Sequence, residues 1–417
     1  MAASEILKSF RLRLTTLTPV SVGEDQAKAL SPYTDYVFSD DGAHLLYINP
    51  KAVQNAFKKA DGKVDKALMD EYVQAINASI DNNRAKFDLK DFLQNKLGLP
   101  LEKPTVRRAV AVEGMKPADR QVISPAAKSA GDPYLPGSSI KGAIRTAMLY
   151  DWLVETQDGE KVMGFLEKDL KRVAAIRREN PNPRRMPFNA RKDLQALERN
   201  FFPEEKLLGS VRWRTGPDAR RIRVSDTNVV EGGLAVQALR RIRLTPNLRG
   251  GAKSEIPMPR EVFRSDTPLE CSVSVLTGFD SKALRYWEEK EPADILALLN
   301  GFTKAALSNE VYELENAHGG DFGEEVDQLL DFYQKLYTRA KDGETFLRLG
   351  FGKTIYDNSL ALSMLNGIGD EDEALEAFDA YRHSFWRKNR HARTYPATRT
   401  VTHQGLPLGW VKVEVGG

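Results

Sequence analysis

The sequence predicts an α+β protein, and three observations lead there. Its opening stretch "SFRLRLTTLTPVSVG" alternates Phe10, Leu12 and Leu14 with Arg11, Arg13 and Thr15, the period of a strand with one buried face. In "EEVDQLLDFYQKLYTRA" the apolar residues Val326, Leu329, Leu330, Tyr333, Leu336 and Tyr337 follow instead the period of an amphipathic helix. Signals of the two kinds alternate irregularly, with connections too varied for a regular doubly wound sheet, so small α+β sandwiches are expected.

Taken in order, Pro19 and Gly23 end the first strand, and further strands are expected at "TDYVF" and "AHLLYI". A mainly helical, polar region from about Pro50 to Gly98 reads as an insertion, and "TVRRAVAV" returns to strand. "PYLPGSSIKGAIRTAML" then opens a helix. Pro136 and Gly137 make the turn, Ser138 or Ser139 offers an N-cap oxygen, and Ile140, Ile144, Ala147 and Met148 form the buried stripe. The basic helical stretch that follows breaks at "NPNPRRMP", where Pro181, Pro183 and Pro187 exclude continuous helix. Strands resume at "RRIRVSDT", at "LAVQALRRIRL" and from Leu269 to Leu276, where Cys271 shares an inward face with Leu269, Val273 and Val275. "ETFLRLGFGKT" reads as a strand followed by a glycine loop, and "LGWVKVEV" as a further strand.

A chain of 417 residues, 41% hydrophobic, can bury substantial cores and is expected to form two domains with insertions. The net charge is only +3, but the cations are segregated. Lys and Arg dominate from Lys171 to Arg223, and Arg382 to Arg399 holds six Lys/Arg and no acid, whereas acids gather in "NEVYELENAHGGDFGEEVDQ" and "GDEDEALEAFD". Such segregation fits an anionic partner. No apolar run approaches the length of about 20 residues that spans a bilayer, and "MAASEILKSFRLRL" lacks a signal-peptide core, so a cytoplasmic protein is expected.

The helix start and the glycine loop are the two candidate binding elements. Lys141 and Arg145 lie one turn apart on one flank, near the positive end of the helix dipole, where a phosphate fits. The competing reading is a serine-capped helix with two solvated cations. In "LRLGFGKTIYD" the run Gly352, Lys353, Thr354 spells the ending of a P-loop, but Leu347 stands where that motif needs glycine. What remains is a loop whose Gly350 and Gly352 allow close backbone approach, with Phe351 for stacking and Arg348 and Lys353 for charge, or else a plain tight turn.

Catalytic and metal-binding patterns are sparse. His44, His318, His383, His391 and His403 have no metal-ligand spacing, and the single cysteine excludes thiolate clusters and an internal disulfide. No metal or other cofactor is expected. Asp25 and Asp35 follow the first strand, where a carboxylate could position a metal or a proton, and His44 falls on a predicted strand.

Several segments, in this order, resemble the RAMP superfamily of CRISPR-associated proteins, and within it the family of Csm subunits numbered five: "TLTPVSVG", "YLPGSSIKGAIRTAM", "RVSDT", "LGFGKT" and "YPATRTVTHQGLPLGWVKV". The resemblance spans nearly the whole chain. It implies two RRM-like (ferredoxin-like) domains with helical insertions, assigned to residues 1–225 and 226–417, the second carrying the glycine-rich loop. It implies a non-catalytic, RNA-binding subunit of a type III-A effector complex that caps the filament at the crRNA 3′ portion and supports 3′-end maturation. The implied partners are crRNA, other Csm subunits, target RNA indirectly and cellular ribonucleases, with no membrane. Ser138, Ser139, Lys141 and Arg145 then become contacts to the RNA backbone, and Arg348, Gly350, Phe351, Gly352 and Lys353 a loop against the guide. Contacts to phosphate suit a protein that must accept any spacer, because they fix position without reading bases. Two other readings stay open: a RAMP endoribonuclease using His44, Asp25 or Asp35, and a scaffold whose basic segments meet acidic proteins.

Overall fold

The computed structural model describes residues 7–23, 29–81, 87–118, 121–129, 132–179, 222–230, 232–244, 257–276, 290–317, 323–368, 372–374, 378 and 398–416. In chain order the strands and helices are β1 (Leu7–Thr16), β2 (Tyr36–Phe38), β3 (His44–Ile48), α1 (Pro50–Ala56), α2 (Lys66–Asp81), α3 (Leu89–Asp91), β4 (Val106–Glu113), β5 (Lys128–Ser129) and β6 (Asp132–Pro133). There follow α4 (Gly137–Glu155), α5 (Gln157–Glu179), β7 (Ile222–Val224), β8 (Leu234–Arg243), β9 (Met258–Phe263), β10 (Pro268–Leu276), α6 (Pro292–Glu315), α7 (Gly323–Lys341), β11 (Thr345–Arg348), α8 (Ala361–Gly367), β12 (Thr398–Thr402) and β13 (Trp410–Gly416).

Two sheets carry the fold. The first has five antiparallel strands in the order β11-β13-β1-β10-β7. The alternation read in β1 is what places it at the centre: Leu12 and Leu14 are fully buried, while Arg11 and Arg13 stay exposed. The path β1-α4-β7-β10-α6-β13 runs in the β-α-β-β-α-β order of a ferredoxin-like unit, with long insertions between its members. The second sheet follows a different path, β12-β8-β4-β3-β2, with β9 also paired to β8. One core of buried residues joins both sheets with α4 and α5, and Cys271 is part of it, its thiol pushed up to about 11 by burial. The stripe expected in α7 packs with α6, Val401 and Trp410 into a second cluster.

The expected boundary at residue 225 does not separate the sheets. Arg11 pairs with Gly416 in the first sheet, and Ala111 with Ala235 in the second, so each sheet draws strands from both sides of that point. The helical insertion packs onto β2 and β3 in a satellite core, where Val53, Phe57, Leu89, Phe92 and Leu93 gather with Val37 and Ile48. Two strands have no clear signal in the sequence. β9 contains Pro259, which demotes a run to an edge; it pairs in register with β8, and its other side is bridged only by single residues, Val20 to Phe263 and Ser124 to Arg260. Its Glu261 is fully buried and accepts hydrogen bonds from the Tyr47 hydroxyl (2.6 Å), the Ala126 amide (2.7 Å) and the Lys128 ammonium (2.6 Å), so the buried charge is matched. β12, "TRTVT", looks polar, yet four of its five residues are buried.

Candidate nucleic-acid interface

The helix start of α4 is built by two segments that the sequence keeps far apart. Pro136 occupies the N-cap position in an extended conformation, and neither serine caps the helix. The cap comes instead from Asp226, whose Oδ1 accepts a hydrogen bond from the Gly137 amide at 2.7 Å. Beside it the Leu135 amide donates to Thr227 Oγ1 (2.9 Å), and the Thr227 amide to the Leu135 carbonyl (3.0 Å). "PYLPG" and "RVSDT" therefore form one unit. A Cβ at Gly137 would run into the Val224 carbonyl oxygen, which is why glycine is needed at this close approach to β7.

This corrects the expected phosphate position. The amide at the helix end is occupied by a carboxylate, Ser138 is exposed within the first turn, and the Ser139 amide bonds back to the Pro136 carbonyl (2.9 Å). One turn further along, Lys141 and Arg145 share a half-exposed flank, and Arg223 of β7 joins them. Burial, with Arg145 and Arg223 adding repulsion, pulls the Lys141 ammonium below its ordinary value. The three cations make this flank locally positive. Arg223 was hidden in the long basic run, and only its alternation with Ile222 marks it as outward-facing.

The glycine loop has a different character. Arg348 is only 4% exposed, so the expectation that its charge serves a ligand is overturned. Its guanidinium pairs with Asp357 (3.0 Å) and Glu310 (3.6 Å) and donates from Nε to the Leu408 carbonyl (3.1 Å), while Arg399 holds the other oxygen of Glu310 (2.8 Å). Thr354 and Asp357 form a capping box over the following short turn, and Asp357 thus serves both the turn and Arg348. Lys353 is half-buried; burial lowers its pKa, against the pull of Asp357.

Gly350 and Gly352 both have positive φ, +69° and +95°. A Cβ at Gly350 would collide with the Ser21 carbonyl oxygen, and that same carbonyl accepts a hydrogen bond from the Phe351 amide at 2.7 Å. At Gly352 a Cβ would stand 3.1 Å from the Leu408 side chain. The Leu349 amide donates to the Gly409 carbonyl (2.7 Å), and the Gly409 amide to the Pro19 carbonyl (2.9 Å). The close approach expected of these glycines is thus made to the protein itself, sewing "TPVSVG", "LGFGKT" and "LPLGW" together. Of the loop, Phe351 and the backbone of Gly350 face a groove. Its ring lies 3.7 Å from the Arg260 guanidinium, a cation–π distance, and Arg260 on β9 carried no signal in the sequence beyond its charge.

Strands β1, β7 and β11 run in the same direction, so the segments that follow them emerge at one end of the sheet. The groove and the α4 cations therefore share that end, near opposite edges that are about 19 Å apart at the usual strand spacing.

Of the three catalytic candidates, His44 and Asp35 fall among the described residues. His44 is exposed at the start of β3, and Asp35 accepts from the Ser31 amide (2.7 Å) and the Thr34 hydroxyl (3.1 Å), an ordinary turn arrangement. Asp25, the "NPNPRRMP" run and Arg382 to Arg393 lie outside the described residues. Among the described residues no three His, Cys, Asp or Glu side chains gather as metal ligands, and no helix is long and apolar enough to cross a membrane.

The sequence profile of the RAMP superfamily matches residues 13–355, most of the chain. The chain belongs to the RAMP superfamily. Among curated proteins this RAMP is similar to "CRISPR system Cms protein Csm5" of Methanocaldococcus jannaschii, at 21% identity over 98% of this chain and 89% of that protein. Among solved structures it resembles a chain of a cryo-EM Csm–crRNA–target RNA ternary complex of a type III-A CRISPR-Cas system. There the TM-score is 0.61 at 20% identity, covering 98% of this RAMP and all of that chain. It also resembles the crystal structure of Csm5 from T. onnurineus, with a TM-score of 0.57 at 21% identity, covering 96% and 99% of the two chains. These likenesses share the α+β fold.

Proposed function

We propose that this RAMP is a non-catalytic, RNA-binding subunit of a type III-A CRISPR (Csm) effector complex. In this reading it works in the cytoplasm, caps the filament at the crRNA 3′ portion, contacts neighbouring Csm subunits and supports 3′-end maturation by cellular ribonucleases. The observation that carries the reading is the cluster of Lys141, Arg145 and Arg223 on the half-exposed flank near the start of α4. Its support is the similarity to Csm5 and to a chain of a complex that holds crRNA. A locally positive surface attracts a polyanion, and phosphate contacts bind without regard to base sequence. The non-catalytic part rests on an exposed His44 and an Asp35 engaged in a turn.

The test is RNA affinity against salt. Replacing Lys141 and Arg145 together with Ala should weaken guide RNA binding and lower the log–log salt slope by about 0.7 for each phosphate that is no longer neutralised. A folded double variant with the parent slope overturns the assignment. The purified chain should leave labelled RNA intact in the presence of divalent metal, and cleavage abolished by Asp35→Ala, Asp25→Ala or His44→Ala would instead support an endoribonuclease.

A further inference from the structure

The groove beside Phe351 has a volume of about 620 Å³, within the range of roughly 300–1,000 Å³ common for small-ligand sites. Ser21, Val122, Ser124, Arg260, Gly350 and Phe351 are among its lining residues. Two polar atoms here are left without a partner. Ser21 is 1% exposed and its Oγ has no hydrogen-bond partner; the Nε of Arg260 is likewise buried and unmatched. Buried polar groups are ordinarily satisfied, so an unmatched hydroxyl on a residue that lines a groove points to a ligand atom that completes it. The apolar part is equally marked: Val122 is 58% exposed at the wall, and the half-buried Phe351 ring is already paired with a guanidinium plane. A bare phosphate gains nothing from such walls, whereas a flat aromatic ring with polar edges gains from both.

We propose that this groove receives one unpaired nucleobase of bound RNA, stacked on the Phe351–Arg260 pair with a polar edge meeting the Ser21 hydroxyl. The proposal rests on the RNA-binding reading above and adds a base-holding site to its phosphate contacts. Arg241, exposed on β8, is near enough to Arg260 to add, after burial, to the lowering of its pKa, and it supplies a cation for the phosphate adjoining the held base. Stacking is tolerant of base identity, so such a site anchors a strand at a fixed nucleotide without restricting its sequence.

The experiment uses the full chain and single-stranded RNA carrying 2-aminopurine at successive positions, read by fluorescence. One position should be quenched by stacking. Phe351→Ala should abolish that quenching and weaken binding by about 5- to 150-fold, the range for removing a base–aromatic stack, while leaving the salt slope unchanged. Arg260→Lys keeps the charge but loses the planar face, and should reduce the same quenching. With RNA made abasic at that position, the Phe351→Ala penalty should vanish. Normal RNA binding with no quenched position, or a penalty that persists with abasic RNA, overturns the base site alone. Failure of the parent chain to bind any RNA overturns the RNA-binding reading as well.

Discussion

The start of α4 and the glycine loop look alike as sequence, each a glycine turn with basic residues close by, and the structure uses them in opposite ways. At α4 the acid, Asp226, takes the helix amide and leaves Lys141, Arg145 and Arg223 crowded at the surface. At the loop the acids Asp357 and Glu310 take the arginine itself, and Arg348 is buried. A basic residue beside a glycine is therefore surface charge or internal strut according to where the nearest carboxylate points. That carboxylate lies 9 residues from Arg348 in one case, and 89 residues from Gly137 in the other.

The largest effect expected from this contrast is at Arg348. Arg348→Ala leaves Asp357 and Glu310 short of a buried partner and should cost about 3–5 kcal/mol of stability, measured by denaturant unfolding. An effect confined to RNA affinity would reverse the contrast. Gly350→Ala combines positive φ with a clash against the Ser21 carbonyl and should cost roughly 1–3 kcal/mol in the same measurement. Normal stability with impaired RNA binding would return that glycine to an RNA-facing role.

A smaller effect should have two signs at Asp226. Asp226→Ala removes the cap of α4 and should cost about 0.5–2 kcal/mol of stability, yet it deletes a negative charge close to the cation cluster and should tighten RNA binding. Weakened binding in a folded variant would mean that the acid, not the cations, organises the ligand. The smallest effect belongs to a surface group of three charges, Glu344 with Arg339 and Lys412. Hydrogen bonds and charge from Arg339, and then from Lys412, lower the Glu344 carboxyl to about 2 from an ordinary 4.5. A carboxyl depressed on folding stabilises the fold above its unfolded pKa and ceases to do so as pH falls toward the folded one. The Glu344 contribution should therefore be complete above about pH 4.5 and fade toward pH 2, and Glu344→Gln should flatten that part of the stability profile.

Periodicity made most of the fold legible: β1, β8, β10, α4 and α7 all appear where alternation or a helical stripe placed them. It could not report which strands pair, because register between Arg11 and Gly416 is settled by packing across the whole chain. Pro259 disguised β9, and the threonines of β12 disguised a buried strand, since a bonded hydroxyl can be buried as Thr402 is, its Oγ1 accepting from the Gln404 and Leu406 amides. Of the candidate interface, Lys141, Arg145 and Phe351 were legible as residue types placed beside turns. Asp226 and Arg260 were not, because what matters about each is a neighbour brought in by the fold: Gly137 for one, Phe351 for the other.

The position of β1 between β10 and β13 has a consequence for how the chain comes into being. A ribosome releases Leu12 and Leu14 long before Val413 and Val415, their flanking partners, have been made. Until then β1 has an open edge on that side, and the pairings that close the sheet are among the most distant in sequence that the chain makes. Long-range pairing of this kind slows folding and leaves strand edges exposed to other chains. Newly made copies should thus rely on chaperone shelter or on prompt capture by their binding partners.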